Sequence, residues 1–122
     1  MSKSPTARTL ERVRQLGGHI GVTERYNTFS RKRHDLFGFM DLVAILDGHI
    51  VGIQATSTGN INKRWYKIQE ECHQAALDWL QAGGLIEVWG WKRYKKSLPD
   101  DRRTWRETIL CLTQGDLDGT ID

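Results

Sequence analysis

Two apolar runs, residues 37 to 46 (FGFMDLVAIL) and 49 to 57 (HIVGIQATS), are separated only by Asp47-Gly48. Asp-Gly between extended runs is a strong hairpin signal, because the type I′ turn it favours needs positive φ at both central residues. A two-residue turn at this point fixes the whole register. Leu46 then faces His49, and Ile45–Ile50, Val43–Gly52, Asp41–Gln54 and Phe39–Thr56 share one face. Ala44–Val51, Leu42–Ile53 and Met40–Ala55 share the other. Both faces are apolar, so the hairpin must be covered on both sides.

The flanking segments supply candidates for that cover. Ser4-Pro5 is a helix start, and Leu10, Val13 and Leu16 recur on one face up to Gly17-Gly18, which predicts a helix over 5–16. Residues 19–26 alternate with strand periodicity, and a polar loop follows. After the hairpin comes a loop over 58–62. The segment 63–82 then carries Trp65, Ile68, Cys72, Ala75 and Trp79 at helical spacing, and Gly83-Gly84 closes it. Strands are expected over 85–91 and 104–113, with a basic loop between them. The sequence therefore predicts an α/β fold of one domain over 1–113, with a frayed acidic tail over 114–122.

A chain of 122 residues can bury roughly two thirds of its unfolded surface, enough for a core without disulfides. Cys72 and Cys111 form no CxxC pair and read as buried thiols. The N-terminus has no signal-peptide character, and no apolar run approaches the roughly 18 residues of a membrane span. The expectation is a cytoplasmic protein.

Asp41 is the anomaly. A carboxylate buried without partners costs several kcal/mol and an unpaired amide about 1–3, so Asp41 and Gln54 side by side on apolar strands imply a joint purpose. Two readings stay open. Asp41 caps an N–H or pairs with an arginine of the first helix, with Gln54 bonded to it; or the pair holds a hard cation through oxygens, as Mg²⁺ sites do. Asp35 shares the parity of Asp41 and is either a supporting ligand or a loop cap.

Net charge is only +3, but its distribution is uneven. Lys92, Arg93, Lys95, Lys96, Arg102, Arg103 and Arg106 face only Asp100 and Asp101 within 92–106, while Arg31, Lys32 and Arg33 precede the first run. The segment 107–122 carries only acids. Cations gathered in two segments, with Trp91, Tyr94 and Trp105 interleaved, match the electrostatic footprint of a nucleic-acid binder and equally a solvated loop. Arg25 with Tyr26 and Asn27 is a further candidate phosphate contact.

The order helix, three-stranded meander, helix and strand has an Asp in the second strand, Gln54 thirteen residues on in the third, and Thr56 two beyond. It resembles the PD-(D/E)XK nuclease superfamily, above all archaeal-type Holliday-junction resolvases and small phage-encoded endonuclease-like proteins. That resemblance implies a restriction-endonuclease-like αβββαββ core, a mixed sheet flanked by helices, acting on DNA with Mg²⁺ or Mn²⁺ as a homodimer. It makes Asp41 the central metal ligand and Gln54 the second, with the Ala55 carbonyl and Glu11 of the first helix completing the set. Thr56 stands where the family has a Lys, so Lys63 or Lys67 would have to supply that cation. Arg31, Lys32, Arg33, Arg64, Lys92, Arg93, Lys95 and Lys96 would contact DNA. Replacing a carboxylate by Gln54 and a Lys by Thr56 weakens cation binding and water activation, so an inactive DNA-binding member is the alternative.

Overall fold

The computed structural model describes residues 3–95 and 103–118. Helix α1 (Pro5–Gln15) begins where the Ser4 hydroxyl accepts the Ala7 N–H at 3.1 Å. Strand β1 (His19–Val22) follows, and then two short strands, β2 (Arg25–Asn27) and β3 (Lys32–His34), which pair only with each other. Strands β4 (Leu42–Leu46) and β5 (His49–Ser57) form the hairpin expected around Asp47-Gly48. The φ values of +53° and +77° at those residues are those a type I′ turn requires, and the observed pairs from Leu42–Ile53 to Leu46–His49 have the predicted register.

A 3₁₀ turn over Thr58–Asn60 leads into α2 (Ile61–Glu71) and α3 (His73–Gln81), followed by β6 (Leu85–Lys95), β7 (Arg103–Leu112) and α4 (Gln114–Asp118). The main sheet runs β1-β4-β5-β6-β7, with β5 and β6 parallel and every other pair antiparallel. Parallel neighbours need a crossover, and α2 and α3 supply it. On one face, Val13 of α1 packs with Leu42, Val51, Ile53, Trp89 and Trp91. On the other, Ile61, Ile68 and Ala76 pack with Met40, Ile86, Val88 and Leu117. The hairpin is thus covered on both sides, and the chain is a mixed α/β fold with a five-stranded sheet flanked by helices.

Gly52 permits one close approach. A Cβ there would stand 2.3 Å from the Met40 sulfur, so glycine lets the methionine lie directly on β5.

Four expectations change. The strand over 19–26 ends at Val22, because the Asp41 carbonyl accepts the Thr23 and Glu24 N–H groups at 2.8 and 3.2 Å and pulls the chain off the sheet. The strand over 37–46 begins only at Leu42. Residues 36–40 are instead a tight turn, with Phe37 at φ +55°, Gly38 at +86° and a Leu36–Met40 bridge, so Phe39 and Met40 do not pair with Thr56 and Ala55. The helix over 63–82 breaks at Cys72, whose φ of −123° is outside helical range; neither Gly nor Pro marks the break. The basic loop is largely a β-ribbon, with Lys92, Arg93 and Lys95 on β6, while Lys96 lies outside the described residues.

Residues 114–118 of the expected tail form α4, where Leu117 is buried and its carbonyl meets the His73 ring at 2.7 Å. Cys72 is half-buried and Cys111 exposed, and both are free thiols. No helix among the described residues is long and apolar enough to cross a membrane.

Candidate metal centre

Register alone puts the polar residues at one end of the sheet. Val22 pairs with Leu42, Leu42 with Ile53 and Ile53 with Glu87, so Thr23, Asp41 and the Gln54–Ser57 end of β5 all lie beyond that row on the same side. There β1 gives way to the β2–β3 hairpin, β5 hands over to α2, and β6 runs on into the basic ribbon. The crevice at the carboxyl ends of parallel strands is where open α/β sheets tend to bind ligands.

Asp41 is 6% exposed and Gln54 5%. The Gln54 amide donates to Asp41 Oδ2 at 2.9 Å, and the Ala55 N–H donates to the same oxygen at 3.1 Å. The main chain of Asp41 is also engaged, its N–H donating to the Ile53 carbonyl at 2.9 Å and its carbonyl accepting from Thr23 and Glu24. Backbone and carboxylate are therefore held at five points, which fixes where the remaining carboxylate oxygen goes.

The Asp41 carboxylate meets two further acids. Glu24, Asp35 and Asp41 each bring a carboxylate oxygen within 4.8 Å of the other two. Glu24 directly precedes β2 and Asp35 directly follows β3, so the two acids are the stem of the small hairpin. Burial, the hydrogen bond and charge of Asp35, and the charge of Glu24 together push Asp41 up to about 8, against the opposing pull of the Ala55 N–H. The cluster therefore holds a proton to well above the usual carboxylate range.

This donor set fits a hard divalent cation. Three carboxylates crowd one corner, and a retained proton together with the largely exposed Arg33, 3.7 Å from Glu24, offsets only part of their charge. Oxygen donors, two of them half-exposed and one buried, are what Mg²⁺ or Mn²⁺ takes.

The other residues singled out in the sequence fall differently. Ala55 points its N–H at Asp41, so its carbonyl faces the same strand edge. Thr56 is buried beside Gly90 of β6. Glu11 stands on the exposed side of α1 in an ion pair with Lys3, which holds its carboxyl below the usual range. It is not in the acidic cluster. Lys63 and Lys67 are exposed one turn apart on α2, and Arg64 between them is half-buried. Burial pushes the Cys72 thiol up, with Lys67 opposing the shift and Glu71 and Asp35 adding to it.

Arg31, Lys32 and Arg33 are exposed on the small hairpin, and Arg33 pairs with Glu24 at 3.7 Å. On the ribbon, Lys92 lies 5.3 Å from the Tyr94 ring and Arg93 5.9 Å from that of Trp105. Lys92 faces Arg106 across the two strands, and like charges directly opposite are unfavourable.

Glu24 escaped the sequence reading because it continued the alternation of residues 19–26. The available signal was the bracketing of a cationic segment by two acids, Glu24 and Asp35. No family model matches the chain, and no curated protein or solved structure matches it significantly.

Proposed function

We propose that this chain is a metal-dependent endonuclease that hydrolyses DNA phosphodiester bonds. The observation that carries the reading is the convergence of three carboxylates at a sheet end bordered by cationic segments. The element order also agrees with a restriction-endonuclease-like core: a helix, the β1-β4-β5 meander, a helical crossover, and then β6 parallel to β5.

Glu24, Asp35 and Asp41 would hold the cation, with the Gln54 and Ala55 oxygens as neutral supplements. When bound, Mg²⁺ or Mn²⁺ supplies charge stabilisation at the phosphate and a more acidic water. The chain's own residues do the remaining work. The Gln54 and Ala55 N–H groups orient Asp41, while Arg64, Lys92 and Arg93 position the phosphate backbone without reading bases. Lys63 or Lys67, exposed on α2, would supply the charge of the missing motif lysine.

The assay is cleavage of supercoiled plasmid, single-stranded DNA and a four-way junction in Mg²⁺ or Mn²⁺. Cleavage should be lost with chelator and fall at least about 100-fold in Asp41→Ala. Metal-independent cleavage, or full activity in that variant, would sink the proposal.

A second reading, DNA binding without cutting, is favoured by buried, uncharged Thr56 at the position where the family has its lysine. It predicts binding that falls steeply with salt while every DNA stays intact.

A further inference from the structure

The β2–β3 hairpin contributes nothing to the core. The residues of both strands are exposed, and the hairpin pairs with no other strand of the sheet. Yet its tip is built with care. Asn27 Oδ1 accepts the N–H groups of Phe29 and Ser30 at 2.9 and 3.2 Å, and the Asn27 carbonyl accepts the Arg31 N–H at 2.8 Å. These bonds lock a short loop whose effect is to hold Phe29 in water, where it is 98% exposed. Tyr26, 59% exposed, stands on the same arm. Between them lies a hollow of about 430 Å³ lined by Arg25, Tyr26, Asn27, Phe29 and His34.

An aromatic ring held rigidly in solvent gives the fold no burial energy, whereas a preorganised ring loses little entropy when a partner stacks on it. Charge identifies the partner. The segment 25–34 carries four cations and no carboxylate, so it repels basic surfaces and attracts a polyanion. Flat apolar rings beside cations, around a hollow in the size range of small-ligand pockets, match an unstacked base with its phosphates. Base-paired DNA hides the faces of its bases; single strands and branch points present them.

We propose that the β2–β3 hairpin is an arm that captures one unstacked nucleotide of single-stranded or branched DNA. Tyr26 and Phe29 stack on the base, and Arg25 and His34 contact its phosphates. This deepens the nuclease reading by naming the form of DNA, and rests on it for the choice of polymer.

The test is fluorescence anisotropy of a labelled 20-mer, single-stranded or as a blunt duplex, in EDTA and at several salt concentrations. Phe29→Ala and Tyr26→Ala should each weaken single-strand binding by roughly tenfold and leave duplex binding unchanged. Phe29→Trp should restore it. Arg25→Gln should lower the salt slope by about one for the single strand and leave that of the duplex unchanged. Asp41→Asn should keep the single-strand preference, and an intact preference in wild-type protein that cuts no DNA in Mg²⁺ or Mn²⁺ would remove the nuclease reading and leave the arm standing. Wild-type protein that binds neither DNA, or alanine variants that bind both as wild type does, would overturn the arm. So would Phe29→Ala altering the sedimentation of the free protein but not its DNA binding, which would mark a contact between copies.

Discussion

The two hairpins of this chain are built on opposite terms. In β4–β5, Leu42, Ala44, Val51 and Ile53 are buried and the turn is Asp-Gly, so side-chain pattern and turn chemistry specify the same register. In β2–β3 every strand residue is exposed, and the loop is held by the Asn27 side chain rather than by burial. The first hairpin carries Asp41 and Gln54 at its open end; the second brings Glu24 and Asp35 to them. The candidate site is therefore a joint between a part the core holds rigid and a part held only locally, and each half can be perturbed without the other.

The largest expected contrast is in stability. Ile53→Ala, at a site 1% exposed, should lower the unfolding free energy by about 2–5 kcal/mol. Thr28→Ala in the exposed loop should stay within about 0.5 kcal/mol. Urea denaturation of both variants measures the gap, and comparable losses would show that the small hairpin is part of the cooperative fold.

The joint itself has a pH signature. The pKa of Asp41, pushed from 3.8 to about 8, lies above its unfolded value, so the folded protein keeps a proton that the unfolded chain releases. The stabilisation is complete below pH 3.8 and is lost as pH rises through about 8. In chelator, stability should therefore fall across that window by up to about 1.4 kcal/mol per pH unit. Asp41→Asn keeps an oxygen for the Gln54 and Ala55 N–H groups and has nothing to ionise, so its urea midpoint should change less between pH 5.5 and 8. Millimolar Mg²⁺ should raise the wild-type melting temperature at pH 8 and leave that of Asp41→Asn nearly unchanged. Equal pH slopes in the two proteins would mean that the three carboxylates do not share the proton.

The smallest effect sharpens the same contrast. Arg33→Gln removes a largely exposed partner of Glu24, and the loss should be under about 1 kcal/mol and vanish at high salt. A larger, salt-resistant loss would show that Arg33 anchors the stem.

How far the sequence could be read follows the same division. The β4–β5 register and the juxtaposition of Asp41 with Gln54 were legible because Asp47-Gly48 and a two-sided apolar pattern leave few alternatives. The extent of β4 was overread. Within FGFMDLVAIL the β-branched residues are only Val43 and Ile45, both inside the observed strand, while Phe37 and Gly38 take positive φ. The small hairpin was not legible, since RYNTFSRKRH carries neither strand alternation nor a Gly-containing turn. Of its two carboxylates Asp35 was marked by the parity it shares with Asp41, while Glu24 was hidden, and the resemblance pointed instead to Glu11, which the structure pairs with Lys3. The Cys72 break had no local signal either, since no Gly or Pro stands there.

Glu24 and Asp35 sit at the two ends of the small hairpin, outside the ten residues from Arg25 to His34. Those ten residues are consequently a cassette. An insertion, a shortened loop or a wholly different sequence between the two acids would change the surface the hairpin presents without removing an oxygen from the cluster. Evolution, or an engineer, can retarget such a chain by editing one short segment that the core does not need.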